Sequence, residues 1–269
     1  MPTAPTLRAA LRLTGAAAWI LLVVLAWTVG TVALAAVPTA RRAFRRRVVA
    51  AWAAGLLHAL RVRVDQHGRP PARPFLLVSN HLGYLDIAVL AAATGGCVFV
   101  SNHEVAEWPV WGPLSRMGGT IFVDRSRPRD ALRVLGRMRK ALERGEGVVV
   151  FPEGTSSEGA GVLPLRSALL AGAAREGIPV HWAVLSYRTP PGSPPASEAV
   201  CWWGRMTFVP HVVGLARLPR IDATLVWGDE AVVGDDRKAL AVRLHGLLSA
   251  RLPEEGAPPV AGATEGAAS

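Results

Sequence analysis

The chain has 269 residues, of which 51% are hydrophobic and only 6% aromatic. This composition fits one sizeable folded domain with an anchor and excludes an intrinsically disordered chain. Nine arginines and no acidic residue fall within positions 1–64, so subtracting nine from the formal net charge of +10 leaves +1 for the rest. The high isoelectric point therefore belongs to an N-terminal segment, and nucleic acid is not an expected partner.

The first predicted element is a helix over about residues 15–37, which are twenty-three residues without a charge. A helix of that length reaches roughly 35 Å, enough to cross a bilayer. Two arginines precede it and five follow between Arg41 and Arg47. The positive-inside tendency then predicts a protein of the inner (cytoplasmic) membrane whose main domain faces the cytoplasm. The alternative is a cleaved signal peptide, because Ala33-Leu34-Ala35 resembles a cleavage site.

A second helix is predicted over about residues 48–60, which are too few to span a bilayer but apolar enough to lie in its interface. The arginines before it are then expected among anionic headgroups. Two alternatives remain open: a helix pair that dips into the bilayer, and a core helix packed on the main domain. These segments divide the chain into an anchor at 1–63, a domain at 64–252, and a tail at 253–269 whose composition predicts disorder.

The main domain alternates predicted strands and helices. Strands are predicted at 75–78, 98–100, 120–123, 148–151, 180–185 and 223–227. Helices with apolar residues three and four apart are predicted at 130–144 and 235–252, and a surface loop at 189–197. This alternation indicates an α/β fold with a mixed, largely parallel sheet covered by helices. The cationic face of the helix at 130–144 is interpreted as a solvated surface, with a patch for donor phosphates or lipid headgroups as the alternative.

A histidine and an aspartate follow the first of these strands. His81 lies five residues before Asp86, at the strand end where α/β folds place functional groups. Asp86 can accept the ring N–H of His81 and support the charge that develops when the other nitrogen takes a proton. A capping aspartate near a hydrogen-bonded histidine gives the same spacing. Because the sequence has no Gly-x-Ser-x-Gly elbow and no cysteine beside a histidine, the pair predicts activation of a substrate hydroxyl rather than of an enzyme nucleophile.

Two further segments carry polar groups at strand ends. Gly118-Gly119-Thr120-Ile121-Phe122-Val123-Asp124-Arg125 combines a glycine turn, a strand and an arginine whose fork suits a phosphate or a carboxylate. An exposed arginine at a strand end is the alternative. The strand at 148–151 leads into Pro152-Glu153-Gly154-Thr155, where Glu153 can accept hydrogen bonds from a substrate hydroxyl. A helix cap formed by this loop is the alternative.

The order of these motifs, with Gly177-Ile178-Pro179-Val180 after them, resembles the glycerolipid acyltransferases, the 1-acylglycerol-3-phosphate acyltransferase family. The four motifs span about residues 79 to 185. The resemblance implies a membrane-bound enzyme that moves an acyl group from acyl-CoA or acyl carrier protein to a lysolipid hydroxyl, with its catalytic domain on the cytoplasmic side. It also implies transfer without a covalent acyl-enzyme, a metal or another cofactor.

On this chain, the resemblance implies that His81 is the general base and Asp86 its orienting partner. It implies substrate binding by Asn80, Gly119, Phe122, Asp124, Arg125, Glu153, Gly154, Thr155 and Arg166.

The acceptor expected first is 1-acylglycerol-3-phosphate, which gives phosphatidic acid. Two departures favour another acceptor: Ser156 stands where phosphate-binding members often carry arginine, and Asn102-His103 where a lysine is frequent. Residues 162–169 and 202–210 also resemble the branch that acylates lyso-ornithine lipid, which is the alternative acceptor. A catalytically inactive lipid-binding protein and a thioester hydrolase are the remaining alternatives.

Overall fold

The structure, a computed structural model, describes residues 4–124, 126–127 and 130–253. The predicted tail at 253–269 therefore lies outside the described residues except for its first position. Arg125, a predicted acceptor-binding residue, also lies outside them.

Seven strands of the described residues form a single sheet. They are β1 (Val62–His67), β2 (Phe75–Ser79), β3 (Val98–Asn102), β4 (Ile121–Val123), β5 (Gly147–Val150), β6 (Val180–Arg188) and β7 (Ile221–Trp227). Their order in the sheet is β1-β7-β6-β2-β5-β3-β4. Every neighbouring pair is parallel except β6 and β7. The predicted mixed, largely parallel sheet is confirmed, as are the six predicted strands.

Helices cover both faces of the sheet. They are α1 (Ala4–Ala33), α2 (Pro38–Ala59), α3 (Leu85–Ala93), α4 (Trp111–Gly118), α5 (Asp130–Glu143), α6 (Ala171–Glu176), α7 (Ala196–Ala199), α8 (Phe208–Arg217) and α9 (Arg237–Arg251), with short 3-10 helices at His103–Glu107 and Ser167–Leu170. Successive strand residues point to opposite faces. Phe75 and Leu77 belong to the core shared with α2, α3 and α8. Leu76 and Val78 belong to the core shared with α5, α6 and α9.

Four parallel strands define the two edges used below. Because β2, β3, β4 and β5 run in the same direction, their carboxyl ends meet at one edge of the sheet, which we name the carboxyl edge. His81 and Glu153 follow β2 and β5 at this edge. The opposite edge, where Val98 and Ile121 begin β3 and β4, is named the amino edge.

The two N-terminal helices differ in length from the expected ones. α1 begins at Ala4 instead of residue 15 and ends at Ala33 instead of residue 37. α2 begins at Pro38, so the arginines at 41–47 lie within the helix rather than before it. Proline is favoured at the first position of a helix, and arginine is a good helix former. The arginines are therefore placed on a rigid element.

α1 packs against the rest of the protein on one side and is exposed on the other. Near its N-terminus, Arg8 donates to the carbonyl of Arg217 at 2.9 Å and Arg12 to that of Pro219 at 2.9 Å. These carbonyls lie at and just beyond the end of α8. The opposite side carries exposed apolar residues: Leu7, Leu11, Leu21, Leu22, Leu25, Val29 and Val32. Within the described residues, α1 alone has the length and apolar composition to cross a membrane.

The sequence analysis does not predict β1. The strand is an edge strand in which Val62 and Val64 are half-buried and Arg63 between them is exposed. Two valines after an arginine-rich segment give too short a pattern to identify a strand. Its parallel pairing with β7, more than 150 residues away in sequence, stabilises this segment as a strand. The expected start of the main domain at residue 64 falls inside this strand.

Candidate active site

His81 and Asp86 meet at the carboxyl edge. His81 follows β2, and Asp86 lies in the first turn of α3, where the helix dipole favours a negative charge. The side chain of Asp86 is fully buried, and its Oδ2 lies 2.8 Å from Nδ1 of His81. The structure therefore brings the two predicted catalytic side chains into one hydrogen-bonded pair.

Asp86 accepts hydrogen bonds from four donors. Its Oδ2 also accepts the backbone N–H groups of Leu82 at 2.6 Å and Gly83 at 3.0 Å. Its Oδ1 accepts the hydroxyl of Tyr187 at 2.8 Å. Four converging donors suit an ionised carboxylate, which only accepts. The hydrogen in the contact with His81 must then reside on Nδ1, which leaves the lone pair on Nε2.

The ring of His81 is held by stacking. It lies on the ring of Phe151 with centroids 4.1 Å apart and an interplanar angle of 18°. Phe99 stacks on Phe151 in turn, at 6.2 Å. The His81 side chain keeps 21% of its surface exposed, and no group of the described residues hydrogen-bonds its Nε2. The nitrogen that carries the lone pair is therefore open to a substrate.

Glu153 fixes the backbone of the histidine. Its side chain is almost fully buried. Its Oε1 accepts the backbone N–H of His81 at 2.7 Å, and its Oε2 accepts that of Leu163 at 3.0 Å. Burial raises the pKa of Glu153 to about 7, although the two N–H groups act in the opposite direction. Glu153 thus joins His81 to the loop after β5, and its predicted contact with the acceptor stays a prediction.

The loop after Glu153 presents polar groups at the surface. Gly154 has a φ of +77°, which favours glycine. A Cβ at this position would lie only 3.1 Å from Cδ of the exposed Arg166 side chain. Thr155 is exposed beside it. The hydroxyl of Ser156 donates to the carbonyl of Trp202. The structure therefore groups the predicted residues Gly154, Thr155 and Arg166 on one surface next to Glu153.

The second motif is divided between the two edges of the sheet. Gly119 ends α4 with a φ of +81° at the amino edge, away from the histidine. Phe122 lies within β4 and is half-buried. Asp124 lies at the carboxyl edge, where hydrogen bonds from the hydroxyl and N–H of Ser126 lower its pKa. Of the predicted residues described in this motif, Asp124 is the one at the same edge as His81.

Asn80 joins two strands. It is 1% exposed. Its Nδ2 donates to the carbonyl of Leu185 at 2.8 Å, and its Oδ1 accepts the N–H of the same residue at 2.8 Å. Both ends of the amide therefore bond the backbone of β6 directly beside the histidine. This arrangement positions the loop that carries His81, and the predicted substrate contact of Asn80 stays a prediction.

An apolar cavity of about 180 Å³ begins at His81. It lies between the sheet and the helices α1 and α2, which contribute Val23, Trp27 and Trp52 to its wall. It reaches Cys97 and Thr120 at the amino edge. Cys97, just before β3, and Ser101, within it, both line the wall, and the extended chain between them spans roughly 13 Å. An elongated apolar cavity that ends at a basic nitrogen suits a hydrocarbon chain whose reactive end lies beside His81.

Tyr84 forms a fixed part of the cavity wall. Its hydroxyl lies 2.8 Å from Nδ1 of His211, whose Nε2 lies 3.0 Å from the carbonyl of Cys201. Because a carbonyl only accepts, Nε2 carries the hydrogen, and Nδ1 accepts the hydroxyl hydrogen of Tyr84. Burial lowers the pKa of His211, which favours this neutral form. The tyrosine ring packs against Trp202 and Phe208.

Tyr187 is a residue of the site that the sequence analysis misses. The predicted strand stops at 185, whereas β6 continues to Arg188. The available signal was the alternation of Ala183, Leu185 and Tyr187, which places the three side chains on one face. All three belong to the same core. The tyrosine therefore reaches Asp86 from the interior.

The site offers few groups to a metal. Within the described residues, no cluster of three or more His, Cys, Asp and Glu side chains is placed to hold an ion. The oxygens of Asp86 and Glu153 are all used by the hydrogen bonds described above.

Comparison with known proteins identifies relatives of this chain. Residues 61–186 match the model of the family described as Acyltransferase. The chain is 33% identical over 209 residues to the lyso-ornithine lipid O-acyltransferase of Rhizobium meliloti, with 73% of this chain and 70% of that protein aligned. It is 30% identical over 214 residues to the 1-acyl-sn-glycerol-3-phosphate acyltransferase of Neisseria gonorrhoeae, with 78% and 83% aligned.

The fold also has a counterpart among solved structures. The crystal structure of the 1-acyl-sn-glycerophosphate (LPA) acyltransferase PlsC from Thermotoga maritima aligns with a TM-score of 0.60, over 86% of this chain and 94% of that one. At 19% identity, this likeness shows the fold alone. The two bacterial relatives show family membership as well, because each alignment covers more than two thirds of both proteins. This protein belongs to the acyltransferase family, as the order of its motifs predicts.

Proposed function

We propose that this acyltransferase transfers an acyl group from a thioester, acyl-CoA or acyl carrier protein, to the hydroxyl of a lysolipid. The observation that carries the proposal is the position of His81 Nε2, which is open to substrate at the mouth of an apolar cavity. 1-Acylglycerol-3-phosphate is the leading acceptor, and its product is phosphatidic acid. The relative from Neisseria gonorrhoeae carries the name of that reaction.

The hydrogen-bonded pair of His81 and Asp86, which we name the dyad, supports a direct transfer. The acceptor hydroxyl binds beside His81 and gives its proton to Nε2 while its oxygen attacks the thioester carbonyl. Collapse of the tetrahedral intermediate breaks the carbon–sulfur bond, and the departing thiolate takes the proton from the imidazolium. Asp86 lies 2.8 Å from Nδ1 and stabilises the positive ring during the attack. No enzyme nucleophile is required, because the lipid hydroxyl is the attacking group.

The way α1 lies on the domain supports a particular mode of membrane attachment. Its N-terminal end binds the end of α8 through Arg8 and Arg12. Its C-terminal half contributes Val23 and Trp27 to the wall of the apolar cavity. A helix fixed to one domain at both ends cannot place these ends on opposite sides of a bilayer. We therefore infer that the exposed leucines and valines of α1 lie in one leaflet and bring the cavity to the lipid.

A second acceptor, lyso-ornithine lipid, is favoured by one contact. Phosphate-binding members often carry arginine at the position of Ser156, and here the serine hydroxyl is bonded to the carbonyl of Trp202. The loop beside the dyad therefore lacks that cation, and it is tied to the segment that resembles the lyso-ornithine branch. An acceptor without a phosphate fits such a surface.

The test is thiol release from acyl-CoA and from acyl carrier protein thioester, with both lysolipids offered side by side. His81→Ala is expected to lower turnover by about 10² to 10⁴-fold, because proton transfer contributes that much. His58→Ala, a change at an exposed helical histidine, is the matched control and is expected to keep normal turnover. Wild-type turnover by the His81 variant would contradict the proposal.

The alternatives give different results in the same assay. A lipid-binding protein without activity releases no thiol with any acceptor. A thioester hydrolase releases thiol without a lysolipid. Thiol release that requires a lysolipid, with an acylated lipid as product, supports the transfer reaction, and the preferred lysolipid identifies the acceptor.

A further inference from the structure

A second cavity lies at the amino edge of the sheet, opposite to the carboxyl edge where His81 lies. Its volume is about 530 Å³. The starts of β3 and β4 contribute Val98 and Ile121 to its wall, and Glu146 lies there just before β5. Seven cationic side chains line this cavity: Arg41, Arg42 and Arg45 from α2, Arg116 from α4, and Arg137, Lys140 and Arg144 from α5. We name it the arginine pocket.

Most of these cations have no acidic partner. Glu146 is the one acid in the wall, and its Oε1 accepts a hydrogen bond from Arg45 at 2.7 Å. In the described part of the chain, no carboxylate lies within ion-pair distance of six of the cations: Arg41, Arg42, Arg116, Arg137, Lys140 and Arg144. Like charges converging on one space repel each other and favour a bound anion.

The arrangement differs from an ordinary solvated face. A solvated helix surface turns its charges outward, each towards its own water. Here three separate helices, α2, α4 and α5, direct cations to the same cavity. Arginines in such groups bind phosphate through pairs of N–H donors. A phosphate is therefore the chemistry that this pocket fits.

The position of the pocket indicates where that phosphate comes from. Trp27, Thr31 and Pro38, at the end of α1 and the start of α2, form part of its wall. The exposed side of α1 next to them is apolar, with Val29 61% and Val32 73% exposed. A phospholipid matches this arrangement, because its apolar chains lie next to an anionic phosphate. Cationic groups near a membrane surface are attracted to anionic lipids.

We propose that the arginine pocket binds the phosphate of an anionic phospholipid of the bilayer, at a site separate from the acceptor site at His81. The proposal rests on the membrane attachment proposed above. The bound lipid is a component of the bilayer surface and is not consumed. Its contact fixes the tilt of α1 on the membrane, and with it the direction in which the apolar cavity faces the lipid.

The test compares two triple variants with the same loss of charge, both in the His81→Ala background so that no lipid is consumed. The pocket variant is Arg41→Gln with Arg137→Gln and Lys140→Gln. The control variant is Arg237→Gln with Lys238→Gln and Arg243→Gln, which changes exposed cations of α9 outside the pocket. Vesicle flotation then measures binding to phosphatidylcholine with and without phosphatidylglycerol.

The parent His81→Ala protein and the control variant are expected to bind phosphatidylglycerol vesicles more tightly than phosphatidylcholine vesicles. The pocket variant is expected to lose this preference. Its affinity for phosphatidylglycerol vesicles should fall by about a hundredfold for three charges at low salt. An equal loss in both variants would indicate a general effect of charge and would overturn the proposal. Unchanged binding by the pocket variant would overturn it as well.

A second measurement separates lipid from free phosphate. In detergent, short-chain phosphatidylglycerol is expected to raise the Tm of wild-type and control proteins but not of the pocket variant. A rise produced by inorganic phosphate and absent with the lipid would assign the pocket to a soluble phosphate and overturn the proposal. Thiol release by wild-type protein in detergent needs no vesicle, so failure of the transfer reaction is detected independently of this site.

Discussion

At the scale of single residues, the hydroxyl of Tyr187 has a role separate from those of His81 and Asp86. It donates to the Asp86 oxygen that does not contact His81. It therefore restrains the carboxylate without touching the substrate. The chain contains two tyrosines, and the other, Tyr84, donates to His211. The pair provides a matched comparison, because the same atom can be removed from each.

We expect Tyr187→Phe to lower kcat by about tenfold or more, since a hydrogen bond to a charged group contributes about 1.5 to 3 kcal/mol. The KM for the lysolipid is expected to stay near the wild-type value, because Tyr187 lies behind Asp86. Tyr84→Phe is the control and should affect kcat less. Steady-state kinetics with both variants measures the two constants, and a raised KM with normal kcat for Tyr187→Phe would contradict this role.

Glu153 predicts a pH dependence of stability. Burial raises its folded pKa to about 7 from 4.5. The fold therefore favours the neutral acid, so its contribution to stability is complete below pH 4.5 and is lost as the pH rises through 7. Glu153→Gln removes this titration. We expect the free energy of unfolding of the variant, relative to wild type, to improve by roughly 3 kcal/mol between about pH 4.5 and values above 7.

Urea unfolding in detergent across this pH range measures the difference. Glu158→Gln, at an exposed neighbouring glutamate, is the control and should track wild type at every pH. A constant difference between Glu153→Gln and wild type over the whole range would show that the buried carboxylate is not the titrating group.

Sequence predicts some of these residues and not others, for a physical reason. His81 and Asp86 lie five residues apart, so local spacing brings them together. Tyr187 reaches Asp86 across 101 positions, and only the pairing of β2 with β6 creates that contact. Asn80 is similar, because its partner Leu185 is 105 positions away. Motif order identifies which residues matter, whereas their bonding partners depend on sheet order.

At the scale of elements, the apolar cavity connects the two edges of the sheet. His81 lies at its carboxyl end and Thr120 at its amino end. An acyl chain with its carbonyl beside His81 therefore points its methyl end toward β4. Thr120 lies in the wall of both cavities, as do Trp27 and Met117, and these three residues form the boundary between the hydrocarbon space and the arginine pocket.

We expect Thr120→Phe to shorten the preferred acyl chain, because the larger ring fills the far end of the cavity. The ratio of kcat/KM for a shorter over a longer acyl-CoA should rise by about tenfold or more, as one methylene group in an apolar pocket contributes about 1 to 3 kcal/mol. Leu132→Phe, on the exposed side of α5, is the control. Competition assays with mixed chain lengths measure the ratio, and an unchanged ratio would place the methyl end elsewhere.

The elements themselves show what sequence patterns predict well. Buried strands such as Val148 to Val150 are continuous apolar runs, and that pattern predicts them. β1 has only two inward valines, and the pattern does not predict it. The sequence predicts α2 in part, because its apolar half is distinctive while its arginine half has the composition of a polar segment. Helix propensity and the packing of Ala53 and Leu57 extend the helix through both.

At the scale of the whole molecule, α1 is the element on which the proposed membrane attachment depends. The sequence predicts a span, because length and composition are the only properties visible there. The structure adds the contacts of α1 with α8 and with the cavity wall, and these contacts favour a helix lying in one leaflet. The two arrangements place the ends of α1 differently with respect to the bilayer.

We expect a cysteine at position 4 or 37, introduced by Ala4→Cys or Val37→Cys in separate variants, to react with a membrane-impermeant maleimide from the same side. Ala4 begins α1 and Val37 lies just beyond its end at Ala33; both are exposed, and neither is one of the leucines and valines of α1 that we infer to lie in the leaflet. The native Cys97 and Cys201 are buried and give a low background. In inverted membrane vesicles both variants should be labelled, and in right-side-out vesicles neither. Labelling of one position in each preparation would show that α1 crosses the bilayer, because only a spanning helix separates its ends by the membrane.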